Sequence, residues 1–190
     1  MTAENLNSAE TIATPLDVLT FWRAAGPDHW FKKDDAFDAD IRAKFMTTYQ
    51  AAAADRLRHW EEAPESALAL VIVLDQFPRN MFRGSERAFA ADWIARTIAD
   101  RAISRGDDLK FPLIERQFFY LPFEHSEHYP DQQRCVALFG ATDDAEMLKW
   151  AALHADIIRR FGRFPHRNAT LGRATTAEEQ TFLDGGGFGG

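Results

Sequence analysis

Apolar residues recur three and four positions apart along most of this chain, and no segment sustains the period-two alternation of a half-buried strand. That pattern restricts the fold to packed helices. Thr14-Pro15-Leu16-Asp17 supplies an N-cap, a proline at the first helical position and a first-turn acid. Val18, Leu19, Phe21 and Trp22 follow at helical spacing until Gly26-Pro27 stops the run. After the connector Trp30-Phe31-Lys32-Lys33-Asp34, the residues Phe37, Ile41, Phe45 and Tyr49 predict a long second helix continuing into Ala51–Ala54.

A third helix opens at Pro64-Glu65. Its apolar residues Leu68, Leu70, Val71, Ile72 and Leu74 lie nearly all round, as in an element buried on several sides, and it is expected to end near Phe77-Pro78. A fourth is expected from Ser85 through Phe89, Trp93, Ile98 and Ile103 to a cap at Gly106, and a fifth from Pro112 to a break or kink at Pro122. Asp131–Phe139 and Asp143–Phe161 follow, and Thr176 with Glu179 forms a capping box for a last short helix to Leu183. The expected fold is therefore all-α, with about seven or eight helices packed as antiparallel hairpins. Residues 14–184 form one domain in this reading, between a flexible lead over 1–13 and a flexible Gly-rich tail over 185–190.

At 190 residues with 46% hydrophobic content, the chain can fill one core without cross-links. A net charge of −7 argues against nucleic acid and anionic membranes as partners. The longest apolar run, Ala67–Leu74, falls far short of the roughly 20 residues that span a bilayer. The single cysteine, Cys135, excludes an internal disulfide, and no signal peptide is visible in the first ten residues, so a cytoplasmic location is expected.

Two segments echo each other. Asp75-Gln76-Phe77-Pro78-Arg79-Asn80 and Gly162-Arg163-Phe164-Pro165-His166-Arg167-Asn168 both place Phe-Pro, then Arg-Asn, at the end of an apolar helix. One copy would be an ordinary helix stop, whereas two suggest matched helix ends facing one place. Arginine is also uneven: 17 Arg stand against 5 Lys, and Arg159, Arg160, Arg163, Arg167 and Arg173 lie in a stretch without an acid. Guanidinium forks suit carboxylate or phosphate, so a small anionic ligand is the expected partner. Asp75, Arg79, Asn80, Arg163, Arg167 and Asn168 are the candidate binding residues.

The histidines His125, His154 and His166, with Glu124, Glu127 and Asp75, fall near helix ends close to these motifs. They supply groups for acid–base chemistry near neutral pH, and His125, Glu127, His154 and His166 are the catalytic candidates. No metal ligand set is assigned. Glu124 and His128 share a helix face, but neither His-Glu-x-x-His nor paired Glu-x-x-His motifs occur, so a metal site is the lesser reading of these groups and the sequence leaves any cofactor unknown. Cys135 sits mid-helix, and Ser126 lacks a Gly-x-Ser-x-Gly elbow, so a thiol or serine hydrolase is not expected. Two other readings compete: a helical module that binds a protein or peptide, with Trp22, Trp30, Trp60 and Trp93 as candidate anchors, and a buried ion network with a purely structural role.

Three blocks carry a resemblance: Leu74–Asn80, Tyr120-Leu121-Pro122-Phe123-Glu124-His125-Ser126-Glu127, and Arg160–Asn168 with Leu171-Gly172-Arg173. With Val18–Trp22 and Glu178–Leu183, they resemble a bacterial family catalogued as domain of unknown function 924. The resemblance implies a tetratricopeptide-like right-handed helical fold and brings no reaction, cofactor or catalytic residue with it. The 34-residue period of true tetratricopeptide arrays is not found, so helical hairpins without a repeat are expected.

Overall fold

A computed structural model describes residues 11–189, and among them every regular element is helical. The lead expected over 1–13 lies outside the described residues apart from Thr11–Ala13, where the Ala13 N–H donates to Thr48 Oγ1 at 2.8 Å. The chain order is α1 (Pro15–Ala25), α2 (Pro27–Trp30), α3 (Asp35–Ala53), α4 (Pro64–Met81), α5 (Asp92–Ser104), α6 (Leu113–Glu124), α7 (Tyr129–Gly140), α8 (Ala145–Phe161) and α9 (Ala177–Asp184). From α3 to α8 each helix packs on the next, as short connections require. No described helix is long and apolar enough to cross a membrane.

The helix starts follow their caps. Thr14 and Asp17 form a reciprocal capping box at α1, and Thr176 and Glu179 form another at α9. Asp34 Oδ1 accepts from the N–H groups of Ala36 and Phe37 at the start of α3, at 2.9 and 3.1 Å. Replacing Asp34 with alanine orphans both donors. The expected loss is about 1 kcal/mol, or roughly 2–4 °C in melting temperature, and a change below 1 °C would contradict this role.

Helix α4 is the hub. It packs against α1, α3, α5 and α6, and every residue from Ala67 to Pro78 is buried. The expected stop at Phe77-Pro78 does not occur: α4 continues through Pro78 to Met81. Proline removes one backbone donor there, but packing on four sides holds the backbone helical. The Arg79 guanidinium adds a donor to the Asp75 carbonyl at 2.5 Å, and Arg42 Nε caps the Met81 carbonyl at 3.1 Å. Buried Pro122 likewise fails to break α6, which runs to Glu124.

The fourth expected helix is divided. Ser85 caps a single 3-10 turn, Glu86–Phe89, and α5 begins only at Asp92. This interruption leaves Asp92 at a helix start, facing α4. A short helix not expected from the sequence, α2, precedes the connector, which is non-helical over 31–34, and places Trp30 beneath Trp22, where its indole N–H donates to the Trp22 carbonyl at 2.7 Å. The main core is aromatic around Trp22, Trp30, Phe45, Phe77 and Phe118. A smaller cluster of Ile157, Ile158 and Phe164 gathers Phe161, Phe182 and Phe188.

Candidate functional site

The end of α4, the start of α5, the end of α6, the middle of α8 and the 3-10 turn Pro165–Arg167 meet at one polar cluster. At its centre Asp75 is fully buried. Its Oδ1 accepts from His125 Nδ1 at 2.8 Å, its Oδ2 accepts from Gln76 Nε2 at 2.6 Å, and Arg79 Nη1 lies 3.3 Å from Oδ1. Burial alone would raise the Asp75 pKa, but Arg79 and His125 hold it at about 2, so the carboxylate is ionised. An ionised carboxylate only accepts, which places the His125 proton on Nδ1. Burial and Arg79 push the His125 pKa down, so the ring is neutral near pH 7 and Nε2 carries a lone pair. Among the described residues Nε2 has no hydrogen-bond partner.

Both echo motifs deliver an arginine to Asp92. Arg79 donates to it in bidentate fashion at 3.0 and 3.0 Å, and Arg167 Nη1 lies 4.0 Å away. Arg167 also donates to the His125 carbonyl at 3.0 Å, and its guanidinium lies 4.5 Å from the ring centres of both Phe89 and Phe164. Burial and the neighbouring Arg79 lower its pKa to about 10, the mark of a cation short of counter-charge. Its Nε is buried without a partner among the described residues.

A second pair of groups stands beside the first. Burial raises the Glu124 carboxyl to about 8 and lowers His154 to about 4, so both are neutral near pH 7. His154 Nδ1 donates to the Trp150 carbonyl at 2.8 Å and lies 3.3 Å from Glu124 Oε1. Burial and Arg167 lower His166 to about 4, and its Nδ1 is buried without a partner among the described residues. Cys135 is buried with Sγ 3.8 Å from Glu124, and its thiol pKa is pushed up, so it is no nucleophile.

Not every candidate reaches this cluster. Glu127 braces the turn beside it: its carboxylate accepts from the Phe164 N–H at 2.8 Å and from Arg173 at 2.7 and 3.0 Å. Asn80 donates to Asp38 at 2.8 Å, beside Arg83 on the same carboxylate, and ties α4 to α3. Arg163, at 2.6 and 2.8 Å, and Asn168, at 3.2 Å, both donate to Glu179 and pin α9. Trp22, Trp30 and Trp60 are core residues, while Trp93 is exposed. No group of three or more His, Cys, Asp or Glu among the described residues has the arrangement of a metal site. A cleft of about 500 Å³ between α7 and α8, lined by Tyr129, Gln133, Val136 and Arg159 among others, includes none of the cluster residues. Asp92 was not among the sequence candidates. A first-turn acid is ordinary helix chemistry, and only the break before α5 turns it toward two arginines.

The profile of a bacterial protein family of unknown function, DUF924, matches residues 18–187, nine-tenths of the chain. The chain belongs to this family. It is also similar to a solved structure of a protein of unknown function from Agrobacterium tumefaciens, with 47% identity and a TM-score of 0.87 over 90% of this chain and 97% of that one. No curated protein matches the chain. The family match takes in all the blocks that form the cluster, from Asp75 to Arg173.

Proposed function

We propose that this chain binds a small anionic molecule at the cluster and moves a proton on it. His125 is the base, Arg79 and Arg167 anchor the anion, and the neutral Glu124–His154 pair serves as the nearby acid. The observation that carries the reading is the 2.8 Å pair between His125 Nδ1 and fully buried Asp75, which leaves the Nε2 lone pair without a protein partner among the described residues. A helix-end brace has no need to fix the tautomer of a neutral histidine in this way. Under-compensated Arg167 beside it favours a carboxylate or phosphate as the bound group. The peptide-module alternative has less support, because three of the four tryptophans offered as anchors are buried.

The test is a thermal-shift series with inorganic phosphate, phosphorylated metabolites and small carboxylates on the native protein and on Arg167→Met. A ligand at 100 times its Kd adds about 2.7 kcal/mol, which is roughly 5–10 °C here. That shift is expected for the native protein and not for Arg167→Met, each measured from its own baseline. Equal shifts in both proteins, or none in either, would assign the cluster to structure alone.

A further inference from the structure

The glycine-rich segment after α9 is built to return a ring to the cluster. Gly185 N–H donates to the Thr181 carbonyl at 3.0 Å, Gly186 to Leu183 at 3.2 Å and Gly187 to Phe182 at 2.9 Å, so the chain folds back on α9. Gly187 is the residue this turn cannot replace. A Cβ there would stand 2.5 Å from the Phe182 carbonyl oxygen and 2.6 Å from the Phe182 ring.

The turn delivers Phe188. Its ring meets His154 edge-on, with centroids 4.5 Å apart and planes at 69°, and meets His166 at 5.2 Å and 79°. Trp150 flanks it at 6.4 Å. Phe164 contacts both histidines, at 5.6 Å from His154 and 5.5 Å from His166, and carries Arg167 over its own face. Phe188 therefore fills an aromatic recess with two imidazole walls and an arginine on its inner side. Its fill is half-buried and attached through three glycines, whereas the walls come from α8 and the braced turn Pro165–Arg167.

Resting on the proposed anion site, we infer that this recess is the binding place for the aromatic ring of a small aryl carboxylate, and that Phe188 occupies it in the absence of that ligand. Edge-to-face packing between two imidazole rings selects a flat six-membered ring over an alkyl chain. The acid of the ligand faces Arg167, whose Nε has no partner, and His166, whose Nδ1 has none. Phe188 is then an internal competitor: a ligand sees only the fraction of molecules in which the ring has swung out, and its apparent affinity falls by that fraction.

The experiment titrates phenylacetate, with acetate and inorganic phosphate as ring-free probes, into the native protein, Phe188→Ala and Gly187→Ala, following the ring signals of His154 and His166 by NMR. Removing the ring is expected to tighten phenylacetate about tenfold and to leave acetate and phosphate unchanged. Gly187→Ala keeps the ring but forbids the turn, and it is expected to behave as Phe188→Ala does, so the result does not depend on one variant. If acetate or phosphate binds while phenylacetate binds no tighter after the change, the aryl recess is wrong and the anion site stands. If no anion binds any of the three proteins, both readings fall.

Discussion

Replacing Asp75 with alanine is expected to lower the melting temperature by about 10 °C, the largest effect of any single polar substitution in the cluster. Asp75 has no solvent exposure and accepts from His125 and Gln76 while it neutralises Arg79. Its removal leaves a partly buried guanidinium with only Asp92 as counter-charge and frees His125 from its orienting partner. Breaking a buried pair from one side costs about 3–5 kcal/mol, because the charge left behind stays desolvated. At 2–4 °C per kcal/mol for a domain of this size, that spans roughly 6–20 °C. The double variant Asp75→Ala with Arg79→Met removes both charges, and its cost is expected to fall short of the sum of the two single costs. Urea unfolding with an unchanged m-value would confirm that stability, not compactness, has changed. Additive costs in the cycle would show that Asp75 and Arg79 do not act as a pair.

The long helices were legible because each carries an apolar stripe, and several open with a side-chain cap or a proline in the first turn, which are local signals. What escaped was set by tertiary contact. Pro78 and Pro122 are helix stops in isolation, yet burial on several sides holds α4 and α6 helical through them. Ser85 to Ile103 reads as one amphipathic run, but the chain breaks it so that Phe89 stacks with Arg79 and Arg167 while Asp92 meets both guanidiniums. The repeated Phe-Pro motif marks two helix ends that meet at Asp92, but only some of its residues face that meeting point. Its arginines, Arg79 and Arg167, converge, whereas its asparagines, Asn80 and Asn168, turn away to Asp38 and Glu179. Which of two adjacent polar residues faces inward depends on helix phase at the terminus, and at a helix end that runs on or tightens to 3-10 geometry the phase is not written in the local pattern. Phe188 was hidden by its neighbours: a run of glycines reads as loose chain, although Gly187 is required by close contact with Phe182.

Stability is expected to peak near pH 6.5, with Glu124 responsible for the decline above it. A carboxyl raised to about 8 in the folded protein, from about 4.5, contributes stability that is complete below 4.5 and lost as pH rises through 8. His154 and His166 act in the opposite sense. Lowered to about 4 from 6.5, they contribute stability that is complete above 6.5 and lost as pH falls through 4. Each group changes the stability by up to about 1.4 kcal/mol per pH unit within its window. Between pH 4.5 and 6.5 two histidines outweigh one carboxyl and stability rises, while between 6.5 and 8 the carboxyl acts alone and stability falls. Glu124→Gln keeps the shape of the neutral acid and cannot ionise. Against the native protein it is expected to gain on the order of 2–4 kcal/mol between pH 5 and pH 8.5, which flattens the alkaline limb and, because the carboxyl no longer opposes the two histidines, steepens the rise between pH 4.5 and 6.5. Melting curves of the two proteins across pH 4–9 decide the matter. A native alkaline limb that survives the substitution would mean that Glu124 is ionised in the folded protein, and the Glu124–His154 pair would then have no proton to give at neutral pH.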